Sequence, residues 1–145
     1  MSALGWITAA SGVRVPQVIY GTAWKKERTS ALVAQALSAG FRGIDTACQP
    51  KHYDEARVGE AIADALARGT LRREELYLQT KFTSVDGQDP RRIPYDSRAP
   101  LADQAAQSFA RSLENLRTSY LDALIRHSPM ATRAQTSEVW RAMQA

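Results

Sequence analysis

The chain has a single cysteine, Cys48, among its 145 residues, so no internal disulfide can form. No apolar run approaches the roughly 18 residues of a membrane-spanning helix. The opening Met-Ser-Ala-Leu-Gly-Trp-Ile lacks the basic segment and long apolar core of a secretory leader. Together these absences predict a reducing, cytoplasmic setting with no membrane partner. Lysine is scarce, with 4 residues against 15 arginines and 15 acids, for a net charge of +4. That balance could serve an anionic partner such as a phosphate-bearing cofactor or nucleic acid, but a solvated arginine-rich surface is the preferred reading. The arginines are scattered apart from pairs such as Arg72-Arg73 and Arg91-Arg92, and no basic stripe interleaves with aromatics, so nucleic-acid binding is not expected. A Gly-rich strand–turn–helix fingerprint is also missing, which argues against a doubly wound dinucleotide domain. Cys48 and His52 stand four residues apart without companions, too few ligands for a metal site. Internal repeats and low-complexity tracts are absent, and the length and 44% hydrophobic content fit one domain, residues 1–145.

What is present is a regular alternation. Two β-prone pieces, residues 6–8 and 13–15, flank a turn and predict a small opening hairpin, with Pro16 interrupting the pairing. Strands are expected at 17–21, 41–44, 76–80 and 121–126, and helices at 29–39, 54–68 and 101–116 and from about 136 onward. Gly40 and Gly69 stand where the first two helices should stop. On the third helix Ala105, Phe109, Leu113 and Leu116 mark the apolar side. Asp54 and Glu55 favour the second helix's start through its dipole. Four strand–helix units in strict order call for a parallel sheet with helices outside it. Residues 82–100, with Gly87, Pro90, Pro94 and Pro100, form the longest irregular stretch, and a loop of that length is functional or disordered. Arg126, among apolar neighbours in a strand, needs a partner.

Polar residues punctuate the strand ends. Asp45 follows 41–44, Lys81 follows 76–80, and His127 follows 121–126, while Tyr53 sits on the loop after Asp45. In a barrel of parallel strands these ends share one face, where loops build the active site. A phenol ordinarily titrates near pH 10. A neighbouring ammonium favours its ionised form, and a carboxylate keeps that ammonium in place. Such a phenol can hand a proton to a carbonyl oxygen while a histidine orients that oxygen. The missing ingredient is a hydride, which a nicotinamide supplies and amino acids do not.

The pieces Gly21-Thr22-Ala23-Trp24, Gly40-Phe-Arg-Gly-Ile-Asp-Thr-Ala47, Val58-Gly-Glu-Ala-Ile62, Arg73-Glu-Glu-Leu-Tyr-Leu-Gln-Thr-Lys81, Ser112-Leu-Glu-Asn-Leu116, Tyr120-Leu-Asp122 and His127-Ser-Pro129 resemble, in this order, the N-terminal half of an aldo-keto reductase. The resemblance implies a (β/α)8 barrel of TIM type, of which about four βα units are present after the hairpin, and reduction of aldehydes or ketones with NADPH. It implies Tyr53 as general acid, Lys81 as its activator, Asp45 as the partner of Lys81, and His127 as the substrate-orienting group. It further implies cofactor contacts at Gly21, Thr22, Ala23 and Asp45, and substrate contacts at Trp24 and His127. The usual family spelling places the tyrosine about five residues after the aspartate. Pro50 holds that position here and Tyr53 comes later, an insertion resembling a fungal-type branch. A full barrel needs about 250 residues, so the chain is expected to be the first half of something larger, with most of the cofactor site elsewhere. Two alternatives accompany that reading. One is a non-catalytic scaffold, self-associating through open barrel edges. The other is a truncated reductase without activity.

Overall fold

The computed structural model describes residues 5–145, so Met1–Leu4 of the segment read for a leader lie outside the described residues. Strands β1 (Trp6–Thr8) and β2 (Arg14–Pro16) form an antiparallel hairpin whose turn is closed by Gly12 at φ +84°. Pro16 does not interrupt the pairing: it stands opposite Trp6 at the end of the ladder, where a missing N–H is tolerated. Its ring lies over Gly43, where an added Cβ would come within 2.6 Å of it. The hairpin therefore packs against the start of the next sheet.

That sheet has four parallel strands in sequence order: β3 (Ile19–Gly21), β4 (Gly43–Asp45), β5 (Tyr77–Phe82) and β6 (Ala123–Arg126). Helices α1 (Thr29–Ser38), α2 (Glu55–Ala67), α3 (Leu101–Leu116) and α4 (Arg133–Gln144) alternate with them, as parallel pairing requires. Strand order never reverses, so the sheet is singly wound, the arrangement of a barrel wall and not of a doubly wound sheet. Gly40 at φ +102° and Gly69 at φ +68° end α1 and α2 in the left-handed conformation that glycine adopts without strain.

Alternation along the strands assigns the two faces. Ile44 and Leu78 point to the helices and join Val33, Leu37, Val58, Ile62 and Leu116 in one core. Phe82 packs with Tyr95, Ala105 and Val139 in a second. The other face carries Asp45, Gln79, Lys81 and Ile125, the last 39% exposed. Several boundaries differ from expectation. β4 starts later than residue 41, with Phe41 packed edge-on against Tyr20, and pairing with Gly21 and Gln79 makes Asp45 the strand's last residue and not its successor. β5 runs on through Lys81 and Phe82, since a strand can hold a lysine on the face away from the core. α4 begins at Arg133, where Thr132 and Gln135 make a capping box. On α3 the buried stripe is Gln104, Ala105, Ser108, Ser112 and Leu116, while Phe109 is exposed. Arg126 lies on the helix face and donates to the carbonyl of Thr136 at 3.3 Å, its buried Nε having no partner among the described residues.

Candidate active site

Parallel pairing in register brings the strand ends to one rim. Gly21 stands opposite Asp45, Asp45 opposite Gln79, and Lys81 opposite Ile125. The ladder extends past the strands, with Thr46 N–H donating to Gln79 O at 2.9 Å and Cys48 N–H to Lys81 O at 3.2 Å. Lys81 Nζ lies 2.6 Å from Asp45 Oδ2 and donates to Thr46 O at 2.9 Å. The other carboxylate oxygen of Asp45 accepts from Gln79 Nε2 at 2.8 Å. Both charged side chains are largely covered, which shields the pair from solvent screening.

Tyr53 reaches this rim from the β4–α2 loop. The residues that lengthen the loop fold into a turn: the N–H groups of His52 and Tyr53 both donate to Gln49 O, at 3.2 and 3.0 Å. Asp54 then caps α2, accepting from Arg57 N–H at 3.1 Å. The Lys81 ammonium lies 4.9 Å from the centre of the Tyr53 ring. His127 follows β6 directly, its N–H bonded to Phe82 O at 2.9 Å. Its imidazole meets the Tyr53 ring edge-on at 6.0 Å between centres. Burial, then the Lys81 charge, holds the imidazole below the usual histidine value despite the opposing pull of Asp45. Asp45, Tyr53, Lys81 and His127 thus share one rim.

The remaining sequence-selected residues fall around it. Gly21 is exposed, and apart from its chain neighbours no described heavy atom lies within 4 Å of where a Cβ would stand. Thr22 is fully buried, its hydroxyl and N–H both donating to the Asp45 carbonyl, at 2.8 and 3.1 Å, so it braces the aspartate. Ala23 is half-buried beside it. Trp24 is 65% exposed, adopts φ +63°, donates its N–H to His52 O at 2.8 Å, and stacks on the His52 ring at 3.9 Å. An aromatic held in the left-handed region by a neighbouring loop is a strained placement. A cavity of about 560 Å³ is lined by Trp24, Tyr53, Cys48 and Asn115, among others, but not by Asp45, Lys81 or His127. It therefore flanks the rim without containing it.

Two contributors were not singled out from the sequence. Thr83 Oγ1 lies 2.8 Å from His127 Nδ1. Counting on by two from Gln79 and Lys81 would have found it, because that step keeps to one face of a strand. Glu55, read only as a dipole-favouring acid, is 5% exposed and sits behind the sheet. Its carboxylate accepts from the Thr80 hydroxyl at 2.5 Å, Ser112 Oγ at 3.0 Å and Asn115 Nδ2 at 3.3 Å. Burial raises its carboxyl above the usual value, the donors pulling the other way. Burial first, then the nearby Glu55 charge, pushes the Cys48 thiol up to about 12, which leaves it unreactive.

The model of the Aldo/keto reductase family matches residues 17–145. The aldo-keto reductase AKR2E4 of Bombyx mori is 35% identical over 116 residues, covering 75% of this chain and 33% of the relative. The NADP-dependent D-sorbitol-6-phosphate dehydrogenase of Malus domestica is 30% identical, covering 88% of this chain and 36% of the relative. Among solved structures, the Bombyx mori AKR2E4 complex with NADP superposes with a TM-score of 0.79 at 28% identity, covering 99% of this chain and 47% of that one. An aldo/keto reductase from Brucella melitensis gives 0.76 at 28% identity, with 98% and 48% covered. The chain thus spans about a third of the length of these curated relatives and about half of these solved chains.

Proposed function

We infer that this chain, which belongs to the aldo/keto reductase family, carries the proton-transfer rim of an NADPH-dependent carbonyl reductase. The observation that supports this most is one ammonium, Lys81, ion-paired to Asp45 at 2.6 Å and 4.9 Å from the ring of Tyr53. Tyr53 gives its proton to the carbonyl oxygen of an aldehyde or ketone as that oxygen gains negative charge. Lys81 stabilises the phenolate left behind, and Asp45 with the Thr46 carbonyl holds the ammonium in place. His127, kept neutral by its surroundings, donates a hydrogen bond to the same oxygen and orients the substrate. Trp24 walls the approach.

A place for a nicotinamide beside Asp45 is supported by Gly21, which stands opposite it and where an added Cβ would meet nothing within 4 Å apart from its chain neighbours. When bound, the nicotinamide supplies the hydride that no side chain provides. Gly21, Ala23 and Asp45 would border it, with Thr22 acting through Asp45. Relatives named as NADP-dependent or solved with NADP favour the phosphorylated cofactor. A cytoplasmic setting fits this chemistry.

The test is oxidation of NADPH with a panel of small aldehydes and α-keto compounds. Tyr53→Phe lowers turnover by about 10²–10⁴-fold, the share a general acid contributes, with cofactor binding and fold retained. Full activity in Tyr53→Phe overturns the assignment. A second reading, a non-catalytic scaffold pairing through its edges, is favoured by β3 and β6 lying at the two sides of the sheet and by exposed Ile125. It predicts a defined dimer in sedimentation and no quenching of tryptophan fluorescence by NADPH.

A further inference from the structure

For a neutral histidine to donate a hydrogen bond, its one hydrogen must sit on the nitrogen that faces the acceptor. The residues around His127 decide which nitrogen that is. Thr83 is 2% exposed, so its hydroxyl hydrogen must be given to a group inside the protein. Among the described residues that hydroxyl has one hydrogen-bond partner, His127 Nδ1 at 2.8 Å. Were Nδ1 protonated, it would donate to the threonine oxygen and strand the threonine's own hydrogen without an acceptor, a cost that buried polar groups avoid. The hydroxyl therefore donates, Nδ1 accepts, and the imidazole hydrogen is left on Nε2.

Thr83 is itself clamped. Its carbonyl accepts from the Tyr95 hydroxyl at 2.6 Å and from Gln88 Nε2 at 3.3 Å. Its methyl occupies the space that a side chain at 87 would need: a Cβ on Gly87 would come within 2.7 Å of it. With the methyl fixed on that side, the hydroxyl has one direction left, toward the histidine. The irregular stretch after β5 thus holds the threonine rotamer, with Gln88 also reaching Cys48 O at 2.9 Å.

We propose that Thr83 is a positioning residue that fixes His127 as the Nε2–H tautomer, so that Nε2 presents its hydrogen to the carbonyl oxygen of the substrate. The catalytic half of this statement rests on the reductase reading above; the tautomer half does not.

Nitrogen-15 NMR of histidine-labelled chain, at about pH 8 where an imidazole is neutral, reads the tautomer directly. The chain has 2 histidines, and His52→Gln leaves one imidazole in the spectrum. The expected spectrum shows a pyrrole-type Nε2 and a pyridine-type Nδ1 for His127. Thr83→Val, which keeps the shape and removes the hydroxyl, gives a mixture of tautomers, and Thr83→Ser restores the single form. In the NADPH assay Thr83→Val lowers kcat by about tenfold, the equivalent of one hydrogen bond, with KM for the cofactor unchanged and Thr83→Ser near wild type. A wild-type spectrum with protonated Nδ1 overturns the proposal without any variant. So does an unchanged single Nε2–H form in Thr83→Val. Absence of turnover in the wild type counts against the reductase reading and leaves the tautomer result standing.

Discussion

Asp45 and Glu55 close the two ends of one loop, and the sheet places them in different worlds. Asp45 projects on the face away from the helices, where Lys81 meets it at 2.6 Å and Gln79 holds its other oxygen. Glu55 projects toward α3, where hydroxyls and an amide surround it and, among the described residues, no cation pairs with it. The first carboxylate is matched by a charge and stands at a rim with room beside it for a ligand. The second is matched by neutral donors contributed from β5 and α3. A carboxylate kept for chemistry needs a charge partner and access, whereas one kept for architecture needs donors on several elements that it can tie together. Glu55 ties the start of α2, and with it Tyr53, to Thr80, the neighbour of Lys81. The same region holds Gly59, where a Cβ would come within 2.0 Å of the Asn115 carbonyl, so the close approach of α2 to α3 there requires glycine.

The contrast is broken most forcefully from the rim. Lys81→Met removes the charge that faces both Asp45 and Tyr53, and turnover falls by about 10²-fold or more, as for loss of a phenol's activation. Asp45 keeps its bond from Gln79 and some contact with solvent, so the thermal midpoint moves by no more than a few degrees. A collapse of the melt in Lys81→Met would make the rim architectural as well. Behind the sheet the balance inverts. Glu55→Ala leaves three donors unmatched and a void between helices, a loss of about 2–4 kcal/mol in urea unfolding. Glu55→Gln retains an acceptor and most of the volume, and loses about 1 kcal/mol or less. Equal losses in the two variants would show that the carboxyl group's bonds contribute nothing beyond its bulk.

The two regions were not equally legible in the sequence. The rim could be read because Asp45, Lys81 and His127 each follow a stretch expected to be a strand, where a functional side chain would reach the rim. The exact ends of β4 and β5 could not, because Phe41 spends its apolar surface on Tyr20 and Lys81 hides on the open face of a strand. The Glu55 region was largely opaque. Ser108 and Ser112 look like solvent residues on α3, and Phe109 looks like core, so a hydropathy pattern rotates the helix away from its true buried stripe. Only the knowledge that an acid waits beneath α3 explains why Ser112 faces inward. Likewise Asp122, which the sequence puts inside the strand expected at 121–126, precedes β6, and its carboxylate joins Arg73 at 3.0 Å and the Leu78 N–H at 2.9 Å, so the Tyr120-Leu-Asp122 piece belongs to the frame. The loop that holds Thr83 is tied down by buried amides, Gln49 reaching the Gly87 carbonyl and Gln88 the Cys48 carbonyl, both distant in sequence.

The smallest effect expected is also the one that separates the two carboxylates by their protons. Burial raises the Glu55 carboxyl above the ordinary glutamate value, so the fold holds a proton that the unfolded chain releases. Below the ordinary value, about pH 4.3, both states are protonated and burial costs no charge. As pH rises from there toward the raised value, the unfolded state gives up its proton first and gains on the fold, so stability declines through that window. Above the raised value the decline stops and the full cost of a buried charge remains. Glu55→Gln has no proton to lose at this position and lacks that component. Unfolding free energies of wild type and Glu55→Gln, measured across the acid-to-neutral range, should therefore differ most in the variant's disfavour at low pH and converge or cross as pH rises. Two curves that run parallel from end to end would mean that Glu55 titrates alike folded and unfolded, and that its hydroxyl and amide donors fully replace the water it gave up.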